Sequence, residues 1–183
     1  MISDSLPLRD LRQQFLATST TAMPIAGTIF WGAAMALSFV VTPRLLALIV
    51  LMGSGMIFPL AILIDKLRGR SLLGTGTANP VLRLFMLGIV MVALLWPLVI
   101  IAAKGNPTII VLGGAILMGI VWIPYGWAAD DPVGLRHAIG RAVGSYVAYL
   151  TCPQPYAAAA ICLIVLLSYA YSFVAMKRPP VPA

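Results

Sequence analysis

Apolar residues fall in six blocks of similar length, at residues 22–41, 45–64, 81–103, 108–128, 132–152 and 156–176. Each is close to the ~20 residues that an α-helix needs to cross a ~30 Å hydrocarbon layer. The breaks between them are polar or helix-stopping: Thr42, Pro43 and Arg44; residues 65–80; Lys104, Gly105, Asn106 and Pro107; Asp130 and Asp131; and residues 151–155. This pattern predicts an all-α fold, a polytopic membrane bundle of six transmembrane helices. The first and second helices, and the third and fourth, should form tight hairpins. The 65–80 connection, with Gly69, Gly74 and Gly76, is the one flexible loop of any length.

Ahead of the first block, residues 5–18 have a different period. Leu8, Leu11, Phe15 and Leu16 share one helical face, while Arg9, Arg12, Gln13 and Gln14 take the other. Ser5 can cap this helix and Pro7 fits its first turn. A short amphipathic helix lying in the membrane interface is expected. A cleavable signal peptide fits poorly, because the following apolar stretch is longer than the ~7–15 residues of such a segment. The chain thus divides into an interfacial segment (1–19), a transmembrane domain (20–178) and a disordered Pro-rich tail (179–183).

Composition strengthens the membrane reading. Hydrophobic residues make up 61% of the 183 positions and charged residues only 9%, against about a quarter charged in soluble domains. Mean hydropathy is +1.02. One soluble core of this size cannot absorb so much apolar surface, so the surplus must face lipid.

The net charge of +7 would suggest nucleic acid in a soluble protein. Here the basic residues are spread between apolar blocks, with no patch or stripe, and nucleic-acid binding is not expected. Their distribution sets orientation instead. With a cytoplasmic N-terminus, ten lie inside (Arg9, Arg12, Lys66, Arg68, Arg70, Arg83, Arg136, Arg141, Lys177, Arg178) and two outside (Arg44, Lys104), accounting for all twelve. Six spans then return the C-terminus to the cytoplasm.

Unusual residues concentrate in the fourth and fifth blocks. Trp122, Ile123, Pro124, Tyr125, Gly126 and Trp127 close the fourth. Pro124 removes the donor that would reach the Ile120 carbonyl. This segment is either an interfacial aromatic belt on a kinked helix end or a broken helix facing a polar cavity. Asp130 and Asp131 follow, and Asp131 with Pro132 makes a helix start.

His137, Arg141, Ser145 and Tyr149 then recur every four residues, along one helical stripe. Arg141 lies about 13–14 Å along the axis from Pro132. Two readings are open. Arg136 and Arg141 snorkel to headgroup phosphates and to Asp130, Asp131 and Asp65, with His137 interfacial. Alternatively the stripe faces inward and forms a positive vestibule for a small anionic or polar solute, with Tyr125, Asp130 and Asp131 as neighbours. His137 is the one side chain whose ordinary pKa permits switching near neutrality.

Gly140, Gly144 and Ala148 form a small-residue face for an internal neighbour or a second protomer, and a homodimer is expected on that basis. Pro59 and Pro97 should kink the second and third helices. Cys152 and Cys162 read as a reduced, buried pair. Several motifs fail. The glycine spacing of residues 69–75 resembles a phosphate-binding loop but lacks its Lys and preceding strand. One His and no Glu exclude an HExxH zinc site, and no acid lies near a candidate nucleophile in the spans. No catalytic residue, metal site or cofactor is expected.

Leu11, Arg12, Gln13, Gln14 and Phe15, together with residues 122–127, resemble a family of short bacterial integral-membrane proteins of unknown function. The resemblance extends over the whole chain. It implies a bacterial inner-membrane location and no residue role. Three functions remain: a transporter- or channel-like protein, a non-catalytic membrane subunit or regulator, and a lipid-headgroup-binding protein or enzyme.

Overall fold

The computed structural model describes residues 6–18, 21–69 and 79–177. Nine α-helices appear among them: α1 (Leu8–Thr18), α2 (Ala22–Leu37), α3 (Pro43–Gly53), α4 (Ile57–Leu67), α5 (Pro80–Ala102), α6 (Thr108–Ile120), α7 (Trp122–Ala129), α8 (Val133–Thr151) and α9 (Ala157–Ala175). No strand occurs among the described residues. Ser5, Arg70, Gly74, Gly76, Arg178 and the tail lie outside the described residues.

Local chemistry explains the helix starts. Thr42 accepts a hydrogen bond from the Leu45 amide (3.3 Å) with Pro43 in the first turn. Asn79 accepts from the Val81 amide (2.9 Å) ahead of Pro80. In both, the cap serves an orphan donor and the proline lacks one. Gly105, at φ +87°, turns the chain between α5 and α6, where a side chain would be strained.

The second apolar block is one span in two pieces. A 3-10 turn at Ser54–Met56 joins α3 to α4, just ahead of Pro59, whose missing amide forfeits a helical hydrogen bond. Pro97, by contrast, sits inside an unbroken α5. The fourth block breaks at Val121 between α6 and α7, as Pro124 leads one to expect.

Four segments are long and apolar enough to cross a membrane: Pro43–Leu67, Pro80–Ala102, Thr108–Ala129 and Ala157–Ala175. The count reaches five only if α1 and α2 are taken as one bent span. Six were expected from the apolar blocks; four to five meet this measure of length and composition among the described residues. The second to fourth and the sixth blocks qualify. The first yields a helix of 16 residues, and the fifth, α8, carries Arg136, His137 and Arg141 within its 19 residues.

At the centre α8 packs along α9, with α2 and α6 closing the cluster. Trp31, Val50, Val111, Ala115, Ile161, Cys162 and Val165 are buried there. The α5 helix stands at the edge, burying only Val81 and Val92 of its residues. Cys162 is buried but Cys152, at the end of α8, is only half-buried, so the two do not form a buried pair.

Side-chain ties gather the loops at two ends. At one end Asn79 donates to the Leu11 carbonyl (2.8 Å), Arg68 donates to the Thr21 hydroxyl (3.2 Å), and Arg12 pairs with Asp130 (3.2 Å). At the other, Asn106 donates to the Tyr149 hydroxyl (3.1 Å) and Thr108 donates to Gln154 (3.4 Å).

The N-terminal helix does more than lie on a surface. Leu11 and Phe15 bury against Val81, Ala128 and Ala129, and the Arg12 guanidinium lies 4.6 Å from the Trp127 ring centre. Apolar packing should dominate this docking, because an exposed ion pair contributes at most about 1 kcal/mol. Accordingly Phe15→Ala should speed tryptic cleavage after Arg9 by tenfold or more. Asp130→Asn, which removes the ion pair, should change it less than about fivefold. The reverse ranking would show that charge holds α1 in place.

Candidate functional site

The stripe on α8 faces the bundle interior. His137, Arg141 and Ser145 are buried, Arg141 at 0% exposure, and Tyr149 is half-buried. The snorkelling alternative for Arg141 is therefore not what the fold adopts. Its stem passes Gly119 of α6, where an added Cβ would stand 3.1 Å from the Arg141 Cδ. Glycine there makes room for the side chain.

Arg141 Nε donates to the Ala115 carbonyl at 2.7 Å. The guanidinium carbon lies 5.3 Å from the Trp31 ring centre and 5.4 Å from that of Tyr169. Such ring contacts contribute about 0.5–2 kcal/mol each. They do not replace hydrogen bonds: Nη1 and Nη2, which carry four N–H groups, make no hydrogen bond of ordinary geometry among the described residues, with the Tyr169 side chain as a polar neighbour. Neither the Trp31 Nε1 donor nor the Ser145 hydroxyl has a partner there. Each unsatisfied buried group costs about 1–3 kcal/mol, more when charged. Arg141, Trp31 and Ser145 thus concentrate unused donors in one part of the core.

His137 sits one turn away on α8. Its ring stacks on Trp122 (centroids 4.0 Å apart, planes at 14°), and Nδ1 is 2.7 Å from Ser172 Oγ. The Ser172 hydroxyl donates to the Ser168 carbonyl (3.1 Å), so Nδ1–H is the donor to Oγ. In the neutral ring Nε2 is then a lone pair rather than a donor. His137 thus braces α8 against α7 and α9.

The other expected neighbours are not at Arg141. Asp130 pairs with Arg12 and lies 3.9 Å from Lys177 Nζ, which also donates to the Asp130 carbonyl. Asp131 accepts from the Val133 amide (3.0 Å) and the Lys177 amide (2.7 Å), clamping the start of α8 to the end of α9. Tyr125 packs edge-on against Phe15, Phe85 and Trp122. Arg136 is exposed on the outer face of α8. The single vestibule expected from the sequence separates into a junction clamp, an aromatic cluster and a buried stripe. Among the described residues Arg141 is closed off from the surface, with an exposure of zero.

The sequence reading missed Trp31, Ala115, Tyr169 and Ser172. No local pattern marks them, because they meet α8 only through packing from α2, α6 and α9. It also missed Gly134. The α7–α8 junction brings Gly126 and Gly134 together so closely that a Cβ on Gly134 would stand 2.2 Å from the Trp122 carbonyl oxygen. Asp130 ends α7 in the left-handed region (φ 52°), and the Asp131 amide bonds back to the Gly126 carbonyl (2.8 Å), a Schellman turn with Asp in the usual glycine position.

On the far side of Tyr169 lies a cavity of about 250 Å³ bounded by α2, α4, α5, α6 and α7, with Phe15 of α1 at one end. Its walls are apolar and aromatic, including Met118, Trp122 and Tyr125.

Fold and site together define an all-α protein with several helices apolar enough to cross a membrane and a fully buried arginine among them. The chain belongs to the family of unknown function DUF7010, whose model matches residues 8–177. No curated protein and no solved structure matches the chain.

Proposed function

We propose that this is a six-span integral protein of a bacterial inner membrane that binds a small anionic or polar solute at Arg141, in a transporter- or channel-like role. One observation carries the reading: a fully buried guanidinium whose Nη1 and Nη2 make no hydrogen bond of ordinary geometry among the described residues. A cation at such depth costs at least ~2.5–3.5 kcal/mol, and an anion accepting those hydrogen bonds offsets that cost. Trp31 Nε1 and Ser145 Oγ supply further donors. Protein in liposomes should carry a small-anion flux that Arg141→Met abolishes. Flux unchanged in that variant overturns the reading.

The closure of the core around Arg141 favours a second reading, a non-catalytic membrane subunit in which the same anion site is structural. That protein would bind anions through Arg141 without moving them.

In the six-span arrangement α2 and α8 cross with the four longer segments, and both termini are cytoplasmic. The ties that gather residues 11–12, 68, 79, 130–131 and 177 at one end support it, as does the exposure of Arg44 and Lys104 away from that cluster. Reporter fusions after Lys104 and Pro153 should read external, and those at Gly74 and Ala183 internal. An external C-terminus contradicts the arrangement. On the α8 small-residue face Gly144 packs on Ile164 within the same chain, and exposed Gly140, where an added Cβ meets nothing within 4 Å, is the part left open for a second protomer.

A further inference from the structure

The apolar cavity and the buried arginine are adjacent, and one side chain divides them. Tyr169 lines the cavity and also lies 5.4 Å from the Arg141 guanidinium. Trp122 has the same double position, lining the cavity on one side and stacking on His137 on the other. The cavity also has a lateral rim: Gly55, within the 3-10 turn, and Ala93, on α5, are both exposed lining residues. At Gly55 an added Cβ would meet nothing within 4 Å. This rim lies midway along two membrane-length segments, so in the membrane arrangement proposed above it faces acyl chains rather than water.

The volume constrains the occupant. A cavity of about 150 Å³ holds one benzene ring, so about 250 Å³ takes an apolar body of roughly eight to ten carbons. Its lining has few polar groups to recognise a sugar or a nucleotide. Charge complementarity comes from the neighbouring donors, Arg141 Nη1 and Nη2 and Trp31 Nε1, which want an anion.

We propose that the cavity and Arg141 form one site for a single-chain amphiphile with an anionic head, the chain lying in the cavity and the head reaching Arg141 past Tyr169. This rests on the anion reading above and specifies its ligand class. Entry is lateral, between Gly55 and Ala93. Tyr169 is the positioning residue: the head reaches Arg141 when its ring moves aside. Gly27 sets how closely that ring approaches α2, since an added Cβ there would stand 2.1 Å from the Tyr169 hydroxyl.

The test uses the full chain in phosphatidylcholine nanodiscs and reads quenching of tryptophan fluorescence by 10-bromodecanoate. Saturable quenching is expected, competed by decanoate or decyl phosphate, whichever head is preferred. The neutral 10-bromodecanol should give no saturable component. Arg141→Met should weaken the acid at least tenfold, and so should Ala93→Phe, which narrows the rim at an exposed position. Trp31→Phe, followed by native mass spectrometry, should weaken decanoate several-fold with packing kept. Equal saturable binding of acid and alcohol, or full affinity in Arg141→Met or in Ala93→Phe, overturns the proposal. Thermal stabilisation by chloride or acetate that depends on Arg141, without any decanoate binding, overturns it while leaving the anion reading standing. A protein indifferent to every anion loses both.

Discussion

Replacing Arg141 by methionine should leave the ligand-free protein as stable as the parent chain, or about 1 kcal/mol more stable, and should remove all stabilisation by anions. The buried guanidinium carries a cost of at least ~2.5–3.5 kcal/mol on insertion scales. Its Nε bond to Ala115 and its contacts with Trp31 and Tyr169 return only part of this. Methionine replaces the unbranched stem to about the position of Nε without the charge, and removal of buried charge in favour of apolar groups is often neutral or stabilising. A saturating anion changes the order. At one hundred times its dissociation constant a ligand adds about 2.7 kcal/mol, so the parent chain should then be the more stable of the two. Thermal unfolding in mild detergent, with and without anion, measures both halves. A variant that loses more than about 2 kcal/mol without anion would mean that the existing contacts already satisfy Arg141.

The largest loss of stability should come from a single methyl group at the α7–α8 junction. In Gly134→Ala the new Cβ would stand 2.2 Å from the Trp122 carbonyl oxygen and 2.5 Å from the Gly126 Cα. Both are backbone atoms of α7, so they cannot rotate away. Overpacking costs about 1–3 kcal/mol where side chains can yield. Here the expected loss is about 3 kcal/mol or more. The control lies on the same helix: at Gly140 a Cβ meets nothing within 4 Å, and alanine there should gain up to about 1 kcal/mol of helix propensity. Equal melting temperatures for the two variants would show that the junction is not a close crossing.

These two positions mark what could be read from sequence. Arg141 was legible because a charge inside an apolar block is rare, and because its four-residue spacing with His137, Ser145 and Tyr149 defines a face. Gly134 was not, since glycine is common in apolar helices and only the opposing backbone of Gly126 makes it indispensable. The α1 helix was half legible. Its amphipathic period appears in Leu8, Leu11, Phe15 and Leu16, but the pattern does not say whether the apolar face meets lipid or protein. The fold buries Leu11 and Phe15 against α5 and α7 and leaves Leu8 exposed.

What the sequence determined by itself is therefore the all-α architecture, the apolar blocks with their breaks, and the single α8 face shared by His137, Arg141, Ser145 and Tyr149, whose inward direction only the packing decided. Periodicity, hydropathy and the shortage of charged residues are local properties, and they require no knowledge of neighbours. Tertiary structure alone decided which residues surround Arg141. It brought Trp31, Ala115 and Tyr169 from three other helices and kept Asp130 and Asp131 at the junction with Arg12 and Lys177. The physical reason is that a helical wheel fixes the direction in which a side chain points, whereas its partners depend on how separate helices pack. That packing leaves the Arg141 Nη1 and Nη2 without a hydrogen bond of ordinary geometry among the described residues, a consequence of several helices meeting that no single stretch of the chain records.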